Sequence, residues 1–209
     1  MTLQEYIASL RGRTVAVIGI GVSNTPLLRL LLREGIAVTA CDRSDRAKLG
    51  ALAEELEAAG AVLRLGNGYL QNLSQDVIFR TPGLRPDVPE LEAARAGGSV
   101  ITSEMEVFFQ VCPCPIIAVT GSDGKTTTTT IIAELLRAAG HTVHVGGNIG
   151  HPLLAEADTI RPTDWAVLEL SSFQLMTMTH SPHIAVVTNL APNHLDVHKS
   201  MEEYVWAKE

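Results

Sequence analysis

Two prolines within three residues, Pro113 and Pro115, interrupt this chain near its middle. Proline fixes φ and has no backbone N–H, so the helix-like run ending at Val111 cannot pass through them. The hydrophobic pattern starts again at Ile116, and the chain reads as two domains, residues 1–111 and 112–209. On the first side, short apolar runs alternate with amphipathic ones. Strands are expected at Val15–Ile18 and Ile36–Cys41, joined through the turn Gly19-Ile20-Gly21 and a helix that Asn24 caps and Gly35 ends, with Leu27, Leu28, Leu31 and Leu32 as its apolar stripe. A polar helix from about Asp45 to Ala59 follows, then strands Ala61–Leu65 and Val77–Phe79, helix Leu91–Ala96 and strand Val100–Thr102. On the second side the order is strand Ile116–Thr120, helix Lys125–Ala139, then strands Thr142–Val145, Trp165–Leu170 and Ile184–Thr188. Strand–helix–strand alternation of this kind predicts an α/β fold with parallel sheets and right-handed crossovers.

Composition narrows the functional classes. The 209 residues carry a formal charge of −7, with 46% hydrophobic and 19% charged residues. That is globular composition, and the acidic balance argues against a nucleic-acid binder. No apolar run approaches the roughly 18 residues of a spanning helix, and MTLQEYIASLRGRT lacks a signal-peptide core, so a soluble cytoplasmic protein with no membrane partner is expected. Cys41 lies in a strand-like run, and Cys112 and Cys114 flank Pro113. No second Cys/His pair has zinc-ligand spacing, so all three read as structural thiols.

Four constellations carry chemistry. Gly121-Ser122-Asp123-Gly124-Lys125-Thr126 follows an apolar strand and opens a helix. This is the context of a P-loop: glycines let backbone N–H groups turn toward phosphate, Lys125 neutralises it, and the Thr126 hydroxyl suits Mg²⁺. The full pattern wants glycine at position 119, where this chain has Val119; a plain Gly-rich turn is the alternative. Gly19-Ile20-Gly21-Val22-Ser23-Asn24 nearly matches a dinucleotide fingerprint, with Asn24 in the third glycine position, Ser23 able to donate to a phosphate, and Asp42 placed 23 residues after Gly19 as a ribose-binding acid would be. A plain βα turn is again the alternative. Glu169 ends an apolar strand, where α/β sheets bind ligands, and reads either as a metal carboxylate or as a solvated rim charge. In Asn193-His194-Leu195-Asp196-Val197-His198, His194 follows a strand end and is a functional candidate, without the partners zinc requires; His141, His144 and His151 read as ordinary surface residues. Finally, Ser200-Met201-Glu202-Glu203 has capping-box form, yet only nine residues follow Ser200. The second domain is therefore expected to be unfinished, with Lys208 on a frayed turn.

Together with Gly146-Gly147-Asn148-Ile149-Gly150 and Ser171-Ser172-Phe173-Gln174-Leu175, these motifs, in this order and spacing, resemble the Mur ligase family. The Ser-Ser-Phe-Gln-Leu block is similar to the D-glutamate-adding branch, whereas Asp123 stands where the family more often has Asn. The resemblance implies a Rossmann-like parallel-sheet N-terminal domain followed by an incomplete P-loop α/β central domain, the amino-acid-binding third domain being absent. It implies an ATP-dependent ligase that joins D-glutamate to UDP-N-acetylmuramoyl-L-alanine through an acyl phosphate, expected to be monomeric and inert as a fragment. By that likeness Val22, Ser23, Asp42 and Arg43 surround the uridine nucleotide, and Asn148, Ser171 and Gln174 contact the substrate. Gly121, Ser122, Asp123, Gly124, Lys125, Thr126 and Thr127 hold ATP. Thr126 serves one Mg²⁺, and Glu169 and His194 serve another. Lys125, His194 and Lys208 are catalytic, Lys208 as a carbamate that supports the metal. A UDP-sugar-binding module without catalysis, and a P-loop kinase or another Mur-type ligase, are the alternatives.

Overall fold

The computed structural model describes residues 1–193 and 197–208. The chain divides into two compact units, Leu3–Val107 and Phe108–Glu209. In the first, α1 (Leu3–Leu10) buries Leu3, Ile7 and Leu10, and β1 (Val15–Ile18) follows. Then come α2 (Thr25–Arg33), β2 (Val38–Asp42), α3 (Arg46–Leu49), α4 (Ala51–Ala58), β3 (Val62–Leu65), β4 (Val77–Phe79), α5 (Pro89–Ala96) and β5 (Val100–Thr102). All pairings are parallel, in the order β3-β2-β1-β4-β5. The order reverses between β1 and β4, the point at which such sheets open a ligand crevice. Helix α6 (Glu104–Val111) carries the division between the units.

The second unit continues with β6 (Ile116–Thr120), α7 (Lys125–Ala138), β7 (Val143–Gly147), a 3₁₀ turn at Leu154–Thr159, β8 (Trp165–Glu169), α8 (Ser172–Leu175), β9 (Ile184–Val187) and α9 (Met201–Trp206). Its sheet is parallel, in the order β7-β8-β6-β9. All five residues of β6 are buried, as a strand covered on both faces requires.

Several local expectations are corrected. The helix expected from Asp45 to Ala59 is two helices, α3 and α4, because Gly50 adopts φ 53°, ψ −132° between them. Asp45 does cap the first, accepting from the Lys48 N–H. Asn24 does not cap α2: its side chain turns back and donates to the Ile18 carbonyl at 2.9 Å, bracing the end of β1 while 2% exposed. β2 starts at Val38 rather than Ile36, and β7 runs to Gly147 rather than Val145. Helix α1 and the short α8 are not among the expected elements, although Ser171 to Gln174 has the Ser-x-x-Gln form of a capping box at the start of α8. Position 119, where a P-loop would have glycine, is inside β6: Val119 is fully buried and in register with Glu169 and Val186. The turn therefore begins at Gly121, whose φ is 139° and whose missing Cβ would stand 2.0 Å from Thr188 Oγ1.

Both tryptophans, Trp165 and Trp206, lie in the second unit, so their fluorescence reports on it. Gly121→Ala introduces strain and overlap at once. The Trp-monitored urea midpoint should fall, with a loss of about 1–3 kcal/mol; an unchanged midpoint would contradict the close approach of Gly121 to Thr188.

Candidate functional site

The first unit has a cavity of ≈ 480 Å³ at the reversal point, lined by Gly19 and Gly21 after β1, Asp42, Arg43 and Ser44 after β2, and Thr81, Gly83 and Leu84 after β4. Asp42 is committed to its own backbone: Oδ2 accepts from the Ile20 N–H at 2.6 Å and Oδ1 from the Ser44 N–H at 2.7 Å. One carboxylate thus fixes both turns at the mouth. Val22 and Ser23 are exposed after β1, and neither lines the cavity. Arg80, which no motif flagged, is 1% exposed and grips the third turn; its guanidinium donates to the carbonyls of Thr81 and Pro82 at 3.1 Å and to that of Leu84. Burial lowers its pKa to about 10.

The second site is at the carboxyl ends of β6, β7 and β8. Gly124, in the left-handed region, stands before α7 and offers no side-chain cap, so the first N–H groups of α7 are free to meet an anion. The Lys125 ammonium donates to the Gly121 and Ser122 carbonyls at 3.0 and 2.9 Å. The Lys208 ammonium reaches the same Gly121 carbonyl at 3.2 Å and Thr120 Oγ1 at 3.0 Å, and lies 4.8 Å from the centre of the Tyr204 ring. Lys208 is 9% exposed, which corrects the expectation of a frayed turn: α9 is held by Ser200, which accepts from the Glu203 N–H, and by buried Tyr204. Burial, then repulsion by Lys125, pushes the Lys208 pKa down to about 8.

Glu169 is 2% exposed. Its Oε2 accepts from the Thr126 hydroxyl at 2.7 Å and its Oε1 from the Asn148 amide at 2.8 Å; the Asn148 N–H also donates to the Glu169 carbonyl. Both partners are neutral, so among the described residues a deeply buried carboxylate has no opposite charge hydrogen-bonded to it, an arrangement that suits a divalent cation. Oxygen donors from Glu169 and Thr126 fit Mg²⁺, which takes few carboxylates plus phosphate oxygens. Ser171 and Gln174 bond to each other as the capping box of α8. Asp123 and Thr127 are exposed on the turn and first helical residues.

Residues outside the sequence motifs complete the cradle. Asn189 Oδ1 accepts from the Ser122 and Asp123 N–H groups at 3.1 and 2.9 Å, and Thr188 donates to the Asp123 carbonyl at 2.6 Å. Ser122 Oγ lies 2.9 Å from the Tyr204 hydroxyl. A polar pair directly after an apolar strand was the available signal for Thr188 and Asn189. His194 lies outside the described residues. His198 is turned inward, with Nε2 2.8 Å from Ser172 Oγ and its ring stacked on Phe173. Among the described residues no cluster of three or more metal-binding side chains occurs, and no helix is long and apolar enough to cross a membrane.

Residues 119–209 match the family model of the Mur ligase middle domain. A UDP-N-acetylmuramoylalanine–D-glutamate ligase of Acetivibrio thermocellus is 55% identical over 99% of this chain and 44% of its own length. One from Clostridium botulinum is 55% identical over 94% of this chain and 43% of its own length. The chain thus spans less than half the length of these curated relatives. Two solved structures share the fold. The UDP-N-acetylmuramate:L-alanyl-gamma-D-glutamyl-meso-diaminopimelate ligase of Neisseria meningitides has TM-score 0.54 and 20% identity, covering 93% of this chain and 66% of that one. The UDP-N-acetylmuramate-alanine ligase of Thermotoga maritima has TM-score 0.52 and 22% identity, covering 93% of this chain and 46% of that one.

The Lys208 environment makes stability pH-dependent in one direction. Its folded pKa, about 8, lies below the ordinary value of 10.5, so the unfolded chain binds more protons between them and stability from this group rises with pH across that window. Relative to Lys208→Met, the unsubstituted chain should gain stability between about pH 8 and 10.5, read as urea midpoints. Parallel pH profiles for the two chains would contradict the buried placement.

Proposed function

We propose that this chain belongs to the Mur ligase family and forms the nucleotide-binding part of an ATP-dependent carbon–nitrogen ligase, a reading supported by the middle-domain match over residues 119–209 and by 55% identity to ligases of which it spans less than half. The whole protein joins D-glutamate to UDP-N-acetylmuramoyl-L-alanine in cytoplasmic peptidoglycan precursor synthesis. The observation that carries the reading is the convergence of Lys125 and Lys208 on the Gly121 carbonyl, beside a helix N-terminus and the buried Glu169 carboxylate, which accepts from the Thr126 hydroxyl. Two cations and free N–H groups form a site for a polyanion, and an uncompensated carboxylate next to them supplies a place for its metal.

The chemistry follows from charge. The substrate carboxylate and the terminal phosphate of ATP repel each other, and a carboxylate does not accept an amine until it is activated. Transfer of the phosphoryl group gives an acyl phosphate and ADP; the D-glutamate amine then attacks the carbonyl carbon and phosphate leaves. Lys125 releases its loop carbonyls and turns to the phosphates, offsetting negative charge in the transition state. Gly121 to Thr127 position the triphosphate through backbone N–H groups. Thr126 would hold one Mg²⁺ and Glu169, with His194, a second, and such ions would supply charge neutralisation at phosphate oxygens. Lys208 is the candidate for carbamylation, which needs a neutral amine, and its low pKa favours that form. A carbamate there is an anionic support for the metal site.

In the first unit, Arg43 on the cavity wall supplies donors for the uridine nucleotide, with Ser23 on the exposed turn after β1 assigned to its phosphates, while Asp42 shapes the cavity through the Ile20 and Ser44 N–H groups. Asn148, Ser171 and Gln174 are assigned to the acceptor substrate. The D-glutamate contacts belong to the part of the relatives that this chain does not span.

Calorimetric titration tests each half separately. UDP-N-acetylmuramoyl-L-alanine should bind this chain more tightly than UMP, and Lys125→Ala should weaken Mg²⁺–ATP binding at least about tenfold, a loss near 1.4 kcal/mol, while leaving UMP binding unchanged. A folded chain that binds neither nucleotide would overturn the assignment. UMP binding without Mg²⁺–ATP binding would favour a UDP-sugar-binding module.

A further inference from the structure

The connection between α6 and β6 is four residues long, Cys112-Pro113-Cys114-Pro115, and it is held at both ends. The Cys112 N–H donates to the Phe108 carbonyl at 2.8 Å, closing the last turn of α6. The Pro115 carbonyl accepts from the Ala166 N–H at 3.0 Å, beginning the β6–β8 ladder. Between these anchors Pro113 fixes φ, so the two thiols have little freedom to separate. Their sulfurs are 3.6 Å apart, and Cys112 Sγ is also 3.6 Å from the Cys114 carbonyl. Cys114 is 1% exposed, whereas Cys112 is half-buried and reachable from solvent. The third cysteine, Cys41, is fully buried in β2.

We propose that Cys112 and Cys114 are a dithiol modification site, which a low-molecular-weight disulfide oxidises reversibly to an internal Cys112–Cys114 disulfide. The pair has the asymmetry this chemistry uses, an accessible attacking thiol and a buried resolving thiol. The hydrogen bond from Cys114 holds the Cys112 thiol below the ordinary thiol range, and giving that bond, together with burial, pushes Cys114 up. The Cys112 thiolate attacks one sulfur of the small disulfide, forming a mixed disulfide and expelling one thiolate. Cys114 then gives up its proton and its sulfur attacks the Cys112 sulfur, expelling the second thiolate. The protein loses two electrons and two protons, which together reduce the small disulfide to two thiols.

Geometry also makes the bridge feasible. Two residues span at most about 7 Å, so the Cα separation falls within or close to the roughly 4.4–6.8 Å that a disulfide tolerates. The bridge is exposed at Cys112, where a small thiol can reach and reduce it. Oxidation places a covalent brace at the start of β6, the strand that leads to Gly121. The inference does not depend on the ligase reading.

Oxidised glutathione is the probe, applied to this chain under native conditions and followed by intact mass and peptide mapping. The expected product has lost two hydrogens, maps to Cys112–Cys114 and is reversed by dithiothreitol. Cys114→Ser should stop at a glutathione adduct on Cys112, and Cys112→Ser should leave Cys114 unmodified. Cys41→Ser should behave as the unsubstituted chain, with Cys112 reacting at least about tenfold faster than Cys41. Phenylarsine oxide, which needs two neighbouring thiols, should bind the unsubstituted chain and neither single variant, provided each retains a folded circular dichroism spectrum. A stable adduct on Cys112 of the unsubstituted chain would overturn the proposal. So would unmodified thiols, or failure to bind the arsenical, in a folded unsubstituted chain.

Discussion

The buried Glu169 carboxylate is the constraint around which the second unit is organised. Removing a carboxylate from water is costly, and here, among the described residues, the Thr126 hydroxyl and the Asn148 amide meet it. Those partners come from the start of α7 and from the residue after β7, while Glu169 itself ends β8. Three chain segments therefore have to finish at one level. A parallel sheet provides that, because every strand ends on the same edge. Gly147 makes it possible sterically: a Cβ there would lie 2.1 Å from the Glu169 carbonyl. The same edge brings Lys125 and Lys208 onto the Gly121 carbonyl, so an acidic centre and a basic cradle stand side by side without cancelling through a direct ion pair.

The first unit solves a different problem with the same topology. Its sheet reverses order between β1 and β4, and the turns after these strands part to leave a cavity. An open mouth needs turns that hold their shape without packing against one another. Asp42 supplies this for two of them through backbone N–H groups, and Arg80 supplies it for the third through backbone carbonyls. Asn24 adds a brace under β1 in the place where a dinucleotide fingerprint has glycine. The substitution therefore has a local structural use, which weakens any redox reading of that motif.

In both units backbone polar groups, rather than side-chain ion pairs, do most of the shaping. The ion pairs among the described residues that involve arginine, such as Arg29–Glu55 and Arg46–Glu57, are largely exposed, and pairs of that kind contribute little. The Cys112-Pro113-Cys114-Pro115 connection follows the same rule, being anchored at its ends by the Phe108 and Pro115 carbonyls. Its paired sulfurs arise because a short, proline-fixed segment between two anchors has nowhere else to put them.

Periodicity and punctuation in the sequence determined the α/β alternation, most strand positions, the Gly121–Thr126 turn and the placement of Glu169 at a strand end. These are local properties: a buried parallel strand reads as a run of apolar residues, and a phosphate-type turn needs glycines at fixed places. The break at Gly50, the inward turn of Asn24 and the burial of Lys208 were not legible, because each depends on a partner distant in sequence or on a φ value that glycine permits without requiring. Nor were Asn189, Thr188, Tyr204 and Arg80, which act through contacts with segments that no spacing rule connects. What the sequence alone determined is the strand–helix alternation and the glycine-rich turn that follows β6. Only the tertiary structure decided how the site is wired, since Glu169 meets Thr126 and Asn148, and Lys208 meets Gly121, only after strands far apart in the chain have been laid side by side.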